Sequence, residues 1–582
     1  MADDVTDVFT VGDRPSAIAV NPVTHTVHVA TSQGVSSFGP GAGHVAANDL
    51  PAYVAVNSVT NKIYVSTISG FVSVVDGATY GAPVNVPVGA NPGVLGVDES
   101  NNKIYVGVKD GVSIINGDTN AVTKVPVSGD TRDIQVNPAT NKAYVLAGGV
   151  LYVIDASGKL KTSINIGTGG ILSVAVNEAT NKIYFTTLAR FGASIRVVDG
   201  ATDKVTSTIP MSNNVGTVAV NSQTNRIFVA ADMGSPEGAV KVIDGVSQNQ
   251  IAQIKTPTQI REIVLNEASN KAYALLSGRG VTIIDGQDNT AHAVYSGWEP
   301  FAAAVDTSAD KTYVLNNGFS SVAVIDGSVP TPMKNDFNGD GTADVLARDA
   351  SGVLWLYPGD GAGGWLPRRA VGQGWNVMTA LLTPGDFNGD GDSDVMARDG
   401  SGVLWLYPGD GSGGWLPRVQ VGQGWNGMSA IVDIGDFHGD TFLDIAARDS
   451  SGTLWIYRGD GAGGWLSRTW AGTGWNGMSE ITGVTDFNGD GVHDIVARDG
   501  AGALWLYQPN GYGSWLGRTA IGQGWNSMNS LVGPGDFDGD GRADILARNS
   551  AGELWLYSGA GGSAWPSASR VGTGWNGMTA IL

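Results

Sequence analysis

The feature that most constrains the fold is a nine-residue acidic motif that recurs every 50 residues. It begins at Asp336 as Asp-Phe-Asn-Gly-Asp-Gly-Thr-Ala-Asp and returns at Asp386, Asp436, Asp486 and Asp536. Carboxylate or amide oxygens at positions 1, 3, 5 and 9 can surround one hard cation, and glycine at position 6 permits the sharp turn that brings them together. Calcium suits such a flexible all-oxygen site better than zinc or copper. A set of Asx turns uses the same residue types and is the alternative interpretation.

The five copies of this motif are not equivalent. In the third copy, His438 replaces the oxygen-bearing residue of position 3 and Thr441 replaces the glycine of position 6, so we expect this site to be the weakest. The fifth copy has Asp538 at position 3, an additional charge that predicts tight binding. We expect up to five calcium ions. With position 7 included, the predicted ligands are Asp336, Asn338, Asp340, Thr342, Asp344, Asp386, Asn388, Asp390, Asp392, Asp394, Asp436, Asp440, Asp444, Asp486, Asn488, Asp490, Val492, Asp494, Asp536, Asp538, Asp540, Arg542 and Asp544.

Composition narrows the class of protein. A chain of 582 residues is too long for one ordinary domain, and its 85 glycines, about twice the usual share, favour short strands and tight turns. No window of roughly 18 consecutive apolar residues occurs, so no membrane span is expected. The net charge of −20 opposes binding to nucleic acid, whose phosphates it repels. The absence of cysteine excludes disulfides, thiol catalysis and cysteine zinc sites.

A degenerate repeat fills residues 1–327. Its units follow the pattern Val-Asn-x-x-Thr-Asn-Lys-x-Tyr-Val, as at residues 56–65, with Asn or Asp at 21, 57, 98, 137, 177, 221, 266 and 306. Spacings of about 40 residues, filled only by predicted strands, are typical of propeller blades. The eighth unit ends at Gly327 after three strands, and residues 5–11 resemble an outer strand that would complete it. We predict eight blades closed by the N-terminal segment, with seven blades as the alternative.

The second half is a smaller ring in this interpretation. Residues 328–335 contain two prolines and are predicted to form an extended linker. Residues 336–582 hold five repeats of four predicted strands each, and five blades suffice for a small propeller. The strand missing before Asp336 is predicted at residues 578–582, where the chain would close the ring. The predicted fold class is all-β, with two β-propellers in tandem.

Both halves resemble known families. The units of residues 5–327 resemble the YVTN-type propeller repeats of bacterial and archaeal surface proteins, which implies a fold but no single function, since such rings serve as scaffolds, binders and occasional lyases. The acidic motif resembles the FG-GAP/VCBS repeat over residues 336–582, and members of that family bind calcium in this loop. The element Gly-x-Gly-Trp-Asn-x-Met and the fivefold count are similar to tachylectin-type five-bladed lectins, which bind N-acetylated sugars and lack the calcium loop.

Fifteen of the 17 tryptophans form a ladder of three per repeat. Trp355 and its equivalents, inside Leu-Trp-Leu-Tyr strands, are predicted to pack between blades. The other two sets follow glycines where strands turn, and there an aromatic ring can stack on a sugar while Asn or Arg bonds to its hydroxyls; packing between blades is the alternative. The candidate sugar-binding residues are Trp365, Trp375, Asn376, Trp415, Trp425, Asn426, Trp465, Trp475, Asn476, Trp515, Trp525, Asn526, Trp575 and Asn576.

The repeats predict a binding protein rather than an enzyme. Five similar weak sites gain avidity on a multivalent glycan or cell-surface polysaccharide, so a calcium-stabilised lectin-like module is the first hypothesis. A protein-binding or adhesive surface scaffold is the alternative, and a polysaccharide lyase or hydrolase seated on the first ring is the second. No catalytic residue is predicted. His25 and His28 would point to opposite faces of a strand, and no His-Glu-x-x-His or Gly-x-Ser-x-Gly motif occurs.

Calcium modules of low affinity work outside the cell, which predicts an extracellular bacterial protein. Residues 1–4 show no basic or apolar signal stretch, and we expect a natural secretion leader to have been replaced by the start codon. The protein is expected to be a monomer.

Overall fold

A computed structural model describes the chain except residues 1–3, 47–49, 110, 166–168, 190–191, 212–213, 232–237, 319, 328–333, 439–441, 491, 512, 561–564 and 566. The chain divides into two compact units, Ala2–Val329 and Pro330–Leu582, which we call the first and second propeller. The first six residues of the predicted linker at 328–335 lie outside the described residues, so its conformation stays a prediction. Within the described part of the chain, no helix is long and apolar enough to cross a membrane.

The first propeller is built from strands alone within its described residues. They are β1 (Asp4–Thr10), β2 (Ala17–Asn21), β3 (Thr26–Thr31), β4 (Gly34–Phe38), β5 (His44–Ala46), β6 (Pro51–Asn57), β7 (Lys62–Thr67), β8 (Phe71–Asp76), β9 (Val84–Pro87), β10 (Leu95–Asp98), β11 (Lys103–Val108), β12 (Gly111–Asn116), β13 (Val122–Pro126), β14 (Thr131–Asn137), β15 (Lys142–Ala147), β16 (Val150–Ile154), β17 (Leu160–Asn165), β18 (Gly169–Asn177), β19 (Lys182–Ala189), β20 (Gly192–Asp199), β21 (Lys204–Met211), β22 (Val215–Asn221), β23 (Arg226–Ala231), β24 (Gly238–Asp244), β25 (Gln250–Thr256), β26 (Ile260–Asn266), β27 (Lys271–Leu276), β28 (Arg279–Asp285), β29 (Ala291–Trp298), β30 (Pro300–Asp306), β31 (Lys311–Asn316) and β32 (Ser321–Asp326).

These strands form eight four-stranded antiparallel sheets among the described residues, a number compatible with the predicted eight blades. Seven sheets use four consecutive strands, and the eighth has the order β1-β32-β31-β30. The N-terminal strand therefore completes the last sheet, as predicted. The first strand of each sheet contacts that of the next, and β30 contacts β2, so the sheets close into a ring. Middle strands are buried on both faces, which explains continuous apolar runs such as residues 227–231.

Side-chain amides join the blades of the first propeller. Asn177, which ends the first strand of the fifth blade, donates from Nδ2 to Oδ1 of Asn225 in the next blade at 2.9 Å. Asn225 occupies a turn with φ of 54°, a left-handed conformation that Asn tolerates better than most residues. Equivalent contacts pair Asn21 with Asn61, Asn57 with Asn102, Ser100 with Asn141, Asn137 with Asn181, Asn221 with Asn270 and Asn266 with Asp310. The repeated Asn residues are therefore contacts between blades as well as turn formers.

The ring of amide contacts closes with a different pair. His25 lies at the turn position of the first blade, and its Nδ1 is 2.8 Å from Oδ2 of Asp306 in the last blade. His28 contacts Oγ of Ser37 instead, at 2.8 Å. The two histidines thus have different partners, in agreement with the prediction that they point apart.

In its described residues the second propeller combines strands with five single-turn 3-10 helices. Its strands are β33 (Val345–Asp349), β34 (Leu354–Tyr357), β35 (Arg369–Gly372), β36 (Met378–Gly385), β37 (Asp394–Asp399), β38 (Leu404–Tyr407), β39 (Val419–Gly422), β40 (Met428–Gly435), β41 (Asp444–Asp449), β42 (Leu454–Gly459), β43 (Trp465–Gly472), β44 (Met478–Val484), β45 (Asp494–Asp499), β46 (Leu504–Pro509), β47 (Trp515–Gly522), β48 (Met528–Gly535), β49 (Asp544–Asn549), β50 (Leu554–Ser558), β51 (Ser567–Gly572) and β52 (Met578–Ile581). The 3-10 helices are Trp375–Val377, Trp425–Gly427, Trp475–Gly477, Trp525–Ser527 and Trp575–Gly577.

Five four-stranded sheets lie among the described residues of the second propeller, a number compatible with five blades. The first of them has the order β35-β34-β33-β52, so the C-terminal strand completes it. This confirms the predicted closure by the end of the chain. Each acidic loop lies directly before the second strand of its blade, counted from the ring axis, and we number the loops 1 to 5 by blade (residues 336–344, 386–394, 436–444, 486–494 and 536–544).

Candidate functional site

The acidic loops fold through bonds between their carboxylates and their own backbone. In loop 2, Asp386 accepts the N–H of Gly389 at 2.7 Å and that of Gly391 at 2.8 Å. The glycines at position 6 of loops 1, 2 and 5 have φ of 80°, 95° and 83°, where a side chain is strained. The position-7 N–H, as at Asp392, donates to the position-5 carboxylate, here Asp390 at 3.0 Å. The loops are therefore preformed turns that hold several carboxylates at close range.

The carboxylate at position 9 connects the loop to the rest of its blade. Asp394 is fully buried, and its Oδ2 accepts the N–H of Phe387 at 2.9 Å while its Oδ1 accepts that of Gly409 at 3.1 Å. Loops 1, 3 and 5 repeat both bonds. In blade 4 the residue equivalent to Gly409 is Pro509, which has no N–H to donate. Asp494 therefore cannot receive the second bond from that position.

The burial of these carboxylates has an electrostatic consequence. Burial, reinforced by the charges of Asp386 and Asp390, raises the pKa of Asp394 to about 7. Burial also raises the pKa of Asp344 and of Asp544 to about 7, and that of Asp494 well above its usual range. Each of these loops thus concentrates negative charge where water screens it poorly. A bound cation would relieve that repulsion.

Loop 5 brings its carboxylates closest together. Ligand oxygens of Asp536, Asp538 and Asp544 all lie within 4.8 Å of one another. Oδ2 of Asp538 accepts the hydroxyl of Ser558 at 2.6 Å, whereas its Oδ1 is buried and without a partner among the described residues. Calcium–oxygen distances of about 2.3–2.6 Å allow two ligands of one ion to be up to about 5 Å apart. The three aspartates therefore fit a calcium ion.

The remaining predicted ligands keep their loop positions. Asn338 places Nδ2 at 3.1 Å from Oδ2 of Asp344, and Asn488 places Nδ2 at 3.3 Å from Oδ1 of Asp494. A half-turn of either amide would direct its oxygen to the same place. Asp440 lies outside the described residues. The position-5 and position-7 residues of the other loops are joined by a bond from the position-7 N–H to the position-5 carboxylate, and they are Asp340 with Thr342, Asp490 with Val492, and Asp540 with Arg542.

Loop 3 departs from this arrangement. His438 occupies position 3, and its Nδ1 lies 2.8 Å from Oδ2 of the buried Asp444. Its Nε2 lies 3.2 Å from Oγ1 of Thr469. Asp436 accepts the N–H of His438 at 3.1 Å. An imidazole thus stands where the other loops carry an oxygen ligand.

The loops are coupled to the interfaces between blades. The position-2 phenylalanine, whose N–H is held by the position-9 carboxylate, packs against a tryptophan of the following blade. In loop 2, the rings of Phe387 and Trp465 are 4.9 Å apart. The series continues around the ring to Phe537 and Trp365, at 4.7 Å, which joins blade 5 to blade 1. A cation that orders a loop therefore also orders an interface.

Five of the predicted sugar-stacking tryptophans are buried, and this corrects the prediction for them. Trp425 is 6% exposed and lies 4.5 Å from the ring of Tyr457 and 6.0 Å from that of Trp465. A buried ring cannot present a face to a sugar. The same holds for the other members of the set, Trp375, Trp475, Trp525 and Trp575. The 3-10 turn directs each of these rings inward, against the following blade.

The second candidate set is half-buried. Trp465 donates its indole N–H to the carbonyl of Val421 in the preceding blade at 2.6 Å, and Trp365 donates to Val571 at 2.8 Å. These bonds close a ring around the second propeller that includes Trp415, Trp515 and Trp565. Their main visible role is packing between blades.

The exposed groups lie on another part of each blade. Arg418 lies over the ring of Trp405, with Cζ 4.1 Å from the ring centroid, and bonds to the hydroxyl of Tyr407 at 2.8 Å. Trp405 is half-buried and donates its N–H to Asp399 at 3.0 Å, so it lies beneath an arginine rather than between blades as predicted for this set. Arg368, Arg468 and Arg518 stack in the same way. The predicted sugar-binding asparagines Asn376, Asn426, Asn476, Asn526 and Asn576 are exposed.

Comparison with known protein families identifies the repeats of the second propeller. The model of the FG-GAP-like repeat matches residues 336–397, 386–447, 436–497 and 486–547, so this region carries FG-GAP-like repeats. No curated protein matches the chain significantly.

Solved structures similar to this chain include the following three, all less than 20% identical to it. Hydrazine synthase of Kuenenia stuttgartiensis is 17% identical with a TM-score of 0.42, covering 48% of this chain and 96% of that one. The Dos1 propeller is 11% identical with a TM-score of 0.46, covering 56% and 95%. The computationally designed Ika8 protein is 13% identical with a TM-score of 0.46, covering 56% and 100%.

Proposed function

We propose that this protein is a calcium-stabilised binding or adhesion scaffold that works outside the cell. The observation that carries the proposal is the convergence of Asp536, Asp538 and Asp544, with a buried Oδ1 of Asp538 that has no partner among the described residues. Calcium would supply the positive charge that this cluster needs. The FG-GAP-like repeats support a scaffold role.

The chain's own residues give calcium a structural role in this proposal. Asp544 holds the N–H of Phe537 at 2.9 Å, and Phe537 packs against Trp365 of the first blade. Ionised, closely spaced carboxylates would push this loop apart without a cation. An ion that binds only the folded state adds stability by mass action, so the closed ring should depend on calcium.

Calcium titration of the chelated full-length protein by isothermal calorimetry tests the proposal. Asp538→Ala should reduce the number of ions bound per chain by one, because it removes a ligand from loop 5 alone. Asp499→Asn is the matched control: this half-buried carboxylate lies in a hairpin outside the loops, where it accepts the indole N–H of Trp505, and its replacement should leave the number unchanged. Absence of any calcium binding by the folded protein would contradict the proposal.

Carbohydrate binding is a second, narrower candidate. It is supported by the exposed asparagines of the 3-10 turns and by the four guanidinium groups stacked on tryptophans, which combine hydrogen-bond donors with a flat apolar surface. Repetition around the ring would favour a multivalent glycan over a single sugar. A protein partner would use the same exposed surface.

A glycan array probed with the calcium-loaded protein separates the two candidates. Arg418→Ala and Asn426→Ala should weaken binding to a multivalent glycan surface more than binding to a single sugar. Trp425→Phe, a change inside the blade interface, is the control and should leave glycan binding unaltered. If no glycan binds at millimolar concentration, the scaffold for a protein partner remains.

A further inference from the structure

Loop 3 is the one described loop with an imidazole at the ligand position, and its geometry differs in kind from that of its neighbours. In loops 1 and 4 the position-3 amide can turn its oxygen toward a cation, and in loop 5 a carboxylate is already there. His438 offers only nitrogen, and calcium prefers oxygen ligands. Another group must therefore compensate the negative charge of the buried Asp444 carboxylate in this blade.

His438 itself forms a hydrogen bond with this carboxylate. An ionised carboxylate only accepts hydrogen bonds, so when Asp444 is ionised, Nδ1 of His438, 2.8 Å from its Oδ2, carries the proton. Nε2 of the neutral ring is then an acceptor, and the hydroxyl of Thr469 at 3.2 Å can donate to it. Both ring nitrogens are thereby engaged within the protein. Neither retains a lone pair for a metal ion.

Packing fixes the imidazole in this place. The ring lies against Gly513 of the following blade, where an added Cβ would come within 2.7 Å of the imidazole Cδ2. The N–H of Gly513 donates to the carbonyl of Phe437 at 3.0 Å, which holds that hairpin beside the loop. Residue 441 lies outside the described residues, but the sequence has threonine there, whereas the glycines at position 6 of loops 1, 2 and 5 adopt φ of 80–95°, which a β-branched residue disfavours.

We propose that loop 3 binds no calcium and that the Nδ1–H of His438 takes the place of the cation for Asp444. The second propeller then binds four calcium ions, in loops 1, 2, 4 and 5, and has one interface between blades that is closed without metal. This inference rests on the proposed calcium binding of the other four loops. The weak third calcium site predicted from the sequence is thus replaced by no site at all, with the imidazole of His438 permanently in its place.

Two reciprocal variants test the assignment by stoichiometry. Calcium bound per chain, measured by equilibrium dialysis and calorimetry, should be four for the wild type. His438→Asn combined with Thr441→Gly restores the common motif and should raise the number to five. Asn338→His places an imidazole in loop 1 and should lower it to three. A wild-type number of five, or a folded double variant that still binds four, would overturn the proposal.

Crystals of the wild-type protein grown in excess calcium provide a readout that needs no variant. Anomalous difference maps at long wavelength should show peaks in four loops and none beside Asp444. A peak coordinated by Asp436 and Asp444 would overturn the proposal while leaving the calcium scaffold intact. Peaks in no loop at all, with no calcium bound in solution, would overturn both.

Discussion

The two propellers share an architecture and differ in the chemistry that joins their blades. The first uses mainly neutral amides, such as Asn177 and Asn225 at 2.9 Å, with a carboxylate only at Asp310 and at Asp306 among the contacts described above. In the second, aromatic rings such as Phe387 and Trp465 meet between blades, and they lie on loops held by buried carboxylates such as Asp394, whose pKa is raised by burial and by neighbouring carboxylates. If calcium binds as we propose, the same fold is closed in one unit by a self-sufficient network and in the other by one that needs an outside cation. Stability of the first should be insensitive to calcium, and that of the second should depend on it.

Removal of calcium should give the largest effect and the clearest separation of the two units. All tryptophans but Trp298 lie in the second propeller, so their fluorescence reports its unfolding. Four sites occupied at 100-fold above Kd would add on the order of 10 kcal/mol, at about 2.7 kcal/mol each. We expect chelation to lower the fluorescence-detected midpoint strongly. The calorimetric transition of the first propeller is the internal control, and its midpoint temperature should not change. Equal shifts of both transitions would contradict a calcium dependence confined to the second propeller.

The pH dependence of the calcium-free protein should be the next largest effect. The pKa of Asp344, Asp394 and Asp544 is raised by burial to about 7, against 3.8 for the ordinary group. Between those values the folded state binds more protons than the unfolded state, so stability is greatest at low pH and is lost as pH rises through 7. From pH 5 to pH 7 the loss is at most about 2.7 kcal/mol per group.

Calcium should invert this slope, because protons then compete with the ion for ionised ligands. Tryptophan-detected melts at pH 5 and pH 7 in resin-treated and calcium-containing buffers measure both slopes. Among its described residues the first propeller has fewer such carboxyls: burial raises the pKa of Glu262 to about 7 and that of Asp133 and of Glu267 above the usual range. Its transition should therefore shift in the same direction by less. Identical slopes with and without calcium would contradict cation binding by the loops.

A tryptophan of the buried set distinguishes packing from sugar recognition. Trp425→Ala removes a ring that is 6% exposed and contacts Tyr457, and the expected loss of stability is about 3–5 kcal/mol. Asn426→Ala, at the adjacent exposed position, should change stability by less than about 0.5 kcal/mol. Urea denaturation in calcium buffer measures both. A Trp425→Ala protein of unchanged stability that had lost glycan binding would restore the sugar-stacking role.

Sequence alone predicted the parts of this molecule that depend on period and order. The closure of both rings was predicted from the repeat spacings, from the outer strand before the first unit and from the strand after the last repeat. The pairing of β1 with β32 and of β33 with β52 confirms it. The acidic positions were predicted because cation ligands follow a fixed spacing. These features follow from the period and the order of the repeats along the chain, so a single sequence contains them.

Features decided by a neighbouring blade could not be predicted in this way. Trp425 and Asn426 are adjacent, yet one is buried and the other exposed, because the ring meets Tyr457 of the next blade. The effect of Pro509 on Asp494 likewise needs the register between a loop and a distant hairpin. The asparagine repeats were recognised as markers of each unit, but their pairing across blades depends on how the sheets stack.

The smallest predicted effect concerns the amide network of the first propeller. The variants that test it copy the His25–Asp306 pair, which closes that ring. Asn177→Asp would set a carboxylate against Oδ1 of Asn225, and we expect a loss of about 1–3 kcal/mol from the calcium-insensitive transition. Adding Asn225→His recreates the pair that the chain already uses at His25 and Asp306, whose turn has φ of 57° against 54° at Asn225.

The double variant should therefore recover most of the stability lost by Asn177→Asp. Asn225→His alone should not stabilise the wild-type protein. Calorimetry of the wild type, both single variants and the double variant gives the coupling energy, which we expect to be favourable and between about 0.5 and 3 kcal/mol. Additive losses in the double variant would mean that the amide contacts accompany the stacking of the blades without stabilising it, and the contrast with the carboxylates of the second propeller would then rest on calcium alone.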